Sequence, residues 1–162
     1  MSKKIVNIYL ISTLIIIVSI LIAALIIEYG LKYQPCKLCI YERVPYIVAT
    51  LLIFITFIFK KYTKNLLLIL SILFFLSSIL GFYHFGIEQG FFNDLSVCKS
   101  DNLLGNLSKE DLLDQLKQAP VSCKEVSFRI LGFSLATINM ILSLIFSTLY
   151  LRLFLLFKNW LF

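Results

Sequence analysis

Cys36 and Cys39 stand three apart in "QPCKLCIYER", residues 34–43, and Arg43 follows four residues after the second. An apolar run, "VPYIVATLLIFITFIF", begins at once. Two thiols at this spacing can form half of a zinc site, close an inert disulfide or work as a redox pair. A structural zinc site calls for a second closely spaced pair. The other two cysteines, Cys98 and Cys123, are 25 apart, so no metal is expected. An inert disulfide across a two-residue gap closes a tiny loop and constrains the unfolded chain little. A redox pair fits, because this geometry favours a low thiol pKa and easy reduction. The usual soluble setting for such a pair, a thioredoxin-like βαβ unit, is absent. The electrons must therefore go elsewhere.

A cysteine near a helix N-terminus meets unpaired N–H groups and partial positive charge, which favour thiolate. On a helix Arg43 shares a face with Cys39. An arginine stays charged, and at membrane depth it is costly enough to be a functional candidate. Two readings stand for it: a fixed counter-charge for a thiolate or an electron-rich ligand, or an interfacial residue snorkelling outward.

These residues need elements to hold them. The chain has 162 residues, enough for one domain, and is 60% hydrophobic with a mean hydropathy of +0.94. A soluble domain of this size could not hide that much apolar surface. Four runs suit transmembrane helices of roughly 20 residues: about 5–27, 42–59, 66–85 and 130–150. They leave outer loops at about 28–41 and 86–129. The first run is longer than a signal-peptide core and no small-residue cleavage site follows it, so it reads as a retained span. The fold class expected is all-α: a four-transmembrane-helix bundle forming a single membrane domain over 1–162.

Charge sets the orientation. Lys3, Lys4, Lys60, Lys61, Lys64, Arg152 and Lys158 fall on one side with no acidic residue. The other eight basic and all nine acidic residues fall on the opposite side. The basic-only side is expected to be cytoplasmic, with both termini inside and both large loops outside. The net charge of +6 therefore describes topology rather than nucleic-acid binding. All four cysteines lie in or beside the outer loops, and an even number in an oxidising compartment suggests two disulfides.

The second loop contains "LSKEDLLDQLKQAP", which reads as a short amphipathic helix. Ser108 and Asp111 fit a capping box, and Leu107 with Leu112 a hydrophobic staple. It can lie on the membrane surface or pack on its own loop. Pro45 is expected in the first or second turn of the second span. Small residues four apart (Ser19 and Ala23, Ser77 and Gly81, Gly132 and Ala136) predict close helix approach. Asn139 is expected to make an interhelical hydrogen bond.

Cys98 and Cys123 alone look like an ordinary loop disulfide. Beside a redox CxxC they can also act in series with it, since a thiolate can attack a disulfide on another loop. The electron carrier dissolved in a membrane is a quinone, whose headgroup wants a flat apolar slot with a few polar groups. Tyr41, Tyr46, Phe82, Tyr83, Phe85, Phe91 and Phe92 lie near the outer helix ends, where an interfacial aromatic belt also accounts for them. His84, the sole histidine, reads either as an interfacial hydrogen-bonding residue or as a cofactor contact.

"PCKLCIYER" resembles the signature of the disulfide bond formation protein B (DsbB) family, bacterial inner-membrane thiol:quinone oxidoreductases. "YHFGIEQGFF" and "VSCKEVSFRILGFSLATINMILS" resemble the family at the end of the third span and from the last cysteine into the fourth. The resemblance implies redox disulfides Cys36–Cys39 and Cys98–Cys123 in periplasmic loops. It implies Arg43 and His84 beside a quinone, ubiquinone or menaquinone, drawn from the membrane lipid. The implied partner is a periplasmic DsbA-like thioredoxin-fold oxidase, reoxidised to sustain disulfide formation. Two rivals are a vitamin K epoxide reductase-like enzyme, in which the CxxC would belong to a late span, and a non-enzymatic membrane protein with structural disulfides.

Overall fold

The structure, a computed structural model, describes residues 3–93, 122–124, 129–130 and 132–158. Four long helices follow the four apolar runs. Helix α1 (Lys3–Leu25) runs into a π-helical turn, Ile26–Gly30. Helix α2 (Lys37–Ile58) is joined to α3 (Thr63–Glu88) by a single 3-10 turn, Lys60–Tyr62. A small antiparallel hairpin, β1 (Arg129–Ile130) with β2 (Phe133–Ser134), leads into α4 (Leu135–Lys158). Each long helix is apolar and long enough to cross a bilayer, and helices keep every backbone hydrogen bond internal, as lipid requires. Large apolar side chains point outward along the bundle, with Ile15 61% and Ile58 71% exposed. In water this belt would be a liability; in lipid it is the natural contact.

Phe74 of α3 centres the core. Its ring meets Tyr46 edge-on at 5.6 Å, Phe146 at 5.1 Å and Tyr150 in a stack at 5.8 Å. Val6, Leu10, Ile17, Ala49 and Ile53 close around it. Thr13 shares a 2.7 Å hydrogen bond with Tyr150, tying α1 to α4. Helices α3 and α4 are tied by serines. Ser71 and Ser147 each donate to the other's carbonyl at 3.0 Å, and Ser78 donates to the carbonyl of Met140 at 3.1 Å. Lipid tails are as apolar as the helices, so small residues and interhelical hydrogen bonds must supply the attraction.

Several expectations need correction. Helix α2 begins beside the cysteines, at Lys37 with Cys36 as its N-cap, so it extends N-terminally of the apolar span placed from about 42. Pro45 consequently sits in the third turn, inside the helix. Helix α3 continues past 85 to Glu88, keeping His84 within regular helix. The fourth helix starts at Leu135 rather than 130, since Gly132, with φ +88°, turns the hairpin that precedes it. Gly132 and Ala136 therefore share no helix face, and Ser19 and Ala23 are exposed. Of the three small-residue pairs, Ser77 and Gly81 are both buried in the bundle. The amphipathic helix expected over 107–120 lies outside the described residues, as does Cys98.

Gly81 marks a close approach of α3 to α4. A Cβ there would lie 3.0 Å from the Met140 backbone nitrogen and 3.1 Å from Asn139 Nδ2. Gly81→Val should therefore force the helices apart and cost about 1–3 kcal/mol by overpacking. Ser147→Ala should cost about 0.6 kcal/mol, the average for an interhelical hydrogen bond in a membrane. Reversible unfolding in mixed detergent micelles measures both, and equal costs would remove close backbone approach as the organising contact.

Candidate redox site and its cavity

Cys36 caps α2. Its backbone is extended (φ −67°, ψ 163°), and its Sγ accepts the backbone N–H of Cys39 at 3.1 Å. Cap and third helical position are thus both cysteine, and the two are disulfide-bonded with Cα atoms 5.2 Å apart. The pair sits at the positive end of a 22-residue helix, where a thiolate is favoured once the bond opens.

His84 reaches this pair from α3. Its Nε2 lies 3.5 Å from Cys36 Sγ, and its Nδ1 is 2.8 Å from Glu42 Oε1. Glu88, one turn along α3, places Oε1 3.9 Å from Nε2. His84 is 2% exposed and Glu42 6%. Buried ionisable groups persist in such a place when they are paired. Arg43 pairs with Glu28, which the π turn after α1 carries to it. Single π turns inserted at helix ends are frequent at functional sites.

These groups surround one cavity of about 240 Å³. Ile20, Leu21, Ala24 and Ile27 line it from the end of α1, and Leu135, Ala136, Ile138 and Leu142 from α4. Cys36, Cys39, Glu42, Arg43 and Tyr46 come from α2, and His84 and Glu88 from α3. At its inner end Tyr46 donates to Asn139 Oδ1 at 2.6 Å and lies 3.0 Å from Ser143 Oγ. Asn139 makes the expected interhelical bond, and its buried Nδ2 has no acceptor among the described residues. Of the aromatic residues considered for a ligand slot, Tyr46 lines the cavity; Tyr41, Phe82 and Phe91 are exposed at the bundle surface, and Tyr83 stacks on Phe92 at 5.4 Å.

The other flank of the CxxC is packed against the second loop. Cys123, itself disulfide-bonded, is 1% exposed and forms one buried cluster with Cys36, Leu38 and Ile87, with Cys39, Leu80 and Tyr83 around it. The structure thus brings Cys36, Cys39, Cys123, Arg43 and His84 to one end of the bundle. Cys36, Cys39 and His84 also place three donor atoms within 4.8 Å, but both sulfurs are spent in the S–S bond.

Glu28, Glu42 and Glu88 were not singled out from the sequence. The signal for Glu42 was available: it is three residues after Cys39, on the same helical face, at the polar lip of a span. Glu28 and Glu88 carry a similar cost at the ends of their spans. Which base each carboxylate meets depends on helix rotation, which spacing does not give.

In the reduced pair the Cys36 thiol is pulled from an ordinary value of 9.0 down to about 5. The hydrogen bond from Cys39 is the largest cause, and His84 adds a hydrogen bond and its charge, against the cost of burial.

A family model, "Disulfide bond formation protein DsbB", matches residues 7–153. An uncharacterized protein of Rickettsia prowazekii (strain Madrid E) is 32% identical over 143 residues, covering 87% of this chain and 81% of the relative. No solved structure matches.

The depressed Cys36 pKa has a measurable sign. Above about pH 5 the Cys36 sulfur of the reduced pair carries no proton, which stabilises the reduced form. With His84 3.5 Å away to receive that proton, reduction takes up two protons and the midpoint potential of Cys36–Cys39 should fall by about 60 mV per pH unit. Redox titration against a thiol buffer reads this slope. Half that value would mean that the proton is lost from the pair and its histidine altogether.

Proposed function

The chain belongs to the DsbB family of disulfide bond formation proteins, and from that premise we propose that it reoxidises a periplasmic DsbA-like thioredoxin-fold oxidase and delivers the electrons to a membrane quinone, ubiquinone or menaquinone. The observation that carries the proposal is the two-sided setting of the CxxC. One flank packs on Cys123 of the second loop, and the other borders a largely apolar cavity lined by Arg43 and His84. The membrane is the bacterial inner membrane, with the cysteine loops periplasmic, an orientation supported by the one-sided lysines of the sequence.

The relay is a sequence of thiol–disulfide exchanges. The partner's thiolate attacks Cys98, the Cys98–Cys123 bond breaks, and its electron pair leaves on Cys123. Cys123 attacks Cys36, against which it is already packed, and the Cys36–Cys39 bond breaks with the pair leaving on Cys39. The Cys39 thiolate then borders the cavity with Arg43 one helical turn away. The partner's second thiol closes its own disulfide and frees Cys98, which attacks Cys123 and re-forms their bond with the electron pair leaving on Cys36. Cys36 and Cys39, now both reduced, close again once their two electrons have passed to the acceptor.

The cavity residues fit a quinone headgroup. A headgroup is planar and apolar with two carbonyl acceptors. The cavity offers apolar walls from α1 and α4, the Arg43 guanidinium, the His84 ring beside the disulfide, and the amide nitrogen of Asn139, which has no acceptor among the described residues. At about 240 Å³ it is smaller than the roughly 300–1,000 Å³ of drug-sized pockets, which suits a ring whose isoprenoid tail stays in lipid. A bound quinone supplies the two-electron acceptor that the four cysteines lack.

Purified protein with reduced thioredoxin-fold partner and a soluble quinone tests the reading, followed by quinone absorbance. Wild type should turn over. Cys98→Ala should lose partner oxidation yet still reduce quinone when a small dithiol is supplied. Arg43→Gln should weaken apparent quinone affinity by about tenfold, the effect of about 1.4 kcal/mol of lost charge contact. Absence of quinone reduction from either donor would leave a membrane protein with structural disulfides.

A further inference from the structure

Cys36, His84 and Glu42 are arranged as nucleophile, base and orienting carboxylate. Sulfur to Nε2 is 3.5 Å, and Nδ1 to the Glu42 carboxylate is 2.8 Å. With Glu42 accepting the Nδ1 proton, the neutral ring turns its Nε2 lone pair toward the Cys36 thiol of the reduced pair. All three residues are buried: Cys36 is 4% exposed, Glu42 6% and His84 2%. A base aimed at a sulfur and held by a third group is the constellation that activates a thiol. A histidine serving the cavity alone would have no need of the Cys36 contact.

We propose that His84 is the proton acceptor for Cys36 and that Glu42 is its positioning residue, so that the thiol side of the site has its own acid–base dyad. The proposal rests on the thiol relay above. In the step concerned, the Cys36 S–H bond breaks and an N–H bond forms at His84 Nε2. The electron pair stays on sulfur, and nothing is oxidised or reduced. The product is a Cys36 thiolate beside an imidazolium, which Glu42 holds. When Cys36 then bonds to Cys39, two electrons leave to the quinone. The imidazolium releases its proton into the cavity that both residues border, where reduction of the acceptor consumes it. The arrangement also serves the step in which Cys98 re-forms its bond to Cys123, because Cys36 is then the leaving sulfur and a sulfur held against an imidazolium leaves more readily.

The groups facing His84 are few among the described residues. Helix α2 contributes Glu42 and the two cysteines, and α3 contributes Glu88, whose Oε1 is 3.9 Å from Nε2 and whose Oε2 has no partner. Arg43 and Glu28 border the same cavity and neutralise each other. Helix α4 lines it with Leu135, Ala136, Ile138, Asn139 and Leu142, none titratable. Glu88 is the competing base, but it belongs to the same helix as His84 and touches neither sulfur by a hydrogen bond.

The test uses full-length protein, reduced and freed of quinone, and a small uncharged alkylating agent. Mass spectrometry follows modification of Cys36 against pH. In wild type the midpoint should fall well below the ordinary thiol range. Glu42→Gln keeps the shape of the side chain and removes its charge; it should raise the midpoint by about one unit or more. Glu42→Asp should restore part of the shift, and His84→Gln should abolish the histidine contribution whatever happens at Glu42. A Glu42→Gln profile that superimposes on wild type, or a Glu42→Asp profile no nearer wild type than Glu42→Gln, would overturn the positioning role. An unchanged His84→Gln profile would overturn the dyad altogether. None of these readouts needs quinone. If the midpoints shift as expected but no quinone is reduced, the dyad stands and the quinone reading falls.

Discussion

The 2.8 Å contact between Glu42 and His84 crosses from α2 to α3 at the end of the bundle that holds the thiols. In a medium that offers no water, a carboxylate and an imidazole can remain together only if each answers the other. That requirement fixes the rotation of both helices. With Glu42 turned toward α3, the residues one turn either side of it on α2, Cys39 and Tyr46, are turned inward too. Cys36, at the cap, then falls beside the same imidazole. One buried pair thus sets which face of α2 borders the cavity, and the cavity takes its polar groups from that face.

The rest of the bundle holds this rotation. Helix α3 is anchored to α4 by reciprocal serine bonds and by the bare backbone at Gly81, so the same rotation is also held far from the thiols. Tyr46 links α2 to that anchored pair through Asn139 and Ser143, one helical turn beyond Glu42. Phe74 fills the space beneath and touches Tyr46, Phe146 and Tyr150. Helix α1 is different: above Thr13 its contribution to the cavity is aliphatic, and among the described residues the ionic contact beside it comes from Glu28 in the π turn. A wall held mostly by apolar contact is the natural side for a lipid-soluble ring to approach, and α1 is also the helix with the most exposed hydrophobic surface.

Much of this was legible in the residues. The CxxC, the arginine one turn on and the lone histidine near the end of a span are unusual types in costly places, and cost is visible in a sequence. The four spans were legible because lipid demands long apolar runs. Their ends were not. Where α2 starts depends on Cys36 using its own sulfur as a cap, and where α4 starts depends on a turn at Gly132, inside a run that reads as helix by hydropathy alone. The small-residue rule succeeded for Ser77 and Gly81 and failed for Ser19 and Ala23, because close approach needs a partner helix opposite, whereas both of these residues are exposed and Ala23 borders the cavity. The three carboxylates escaped notice for the same reason: spacing along one helix says which residues share its face, not which face another helix will meet.

The two disulfide-bonded regions differ in how they are held. Cys36–Cys39 belongs to a helix terminus and cannot move without unwinding α2, whereas Cys123 precedes a short hairpin and owes its burial to contact with Leu38 and Ile87. The relay proposed above needs one fixed and one movable member. The fixed pair must stay with the base and the arginine, since both act only over a few ångströms. The movable member must reach a partner in water and then return to the fixed one. In that relay the burial of Cys123 in one cluster with Cys36, Leu38 and Ile87 is the returned position, a small apolar contact at the end of the bundle.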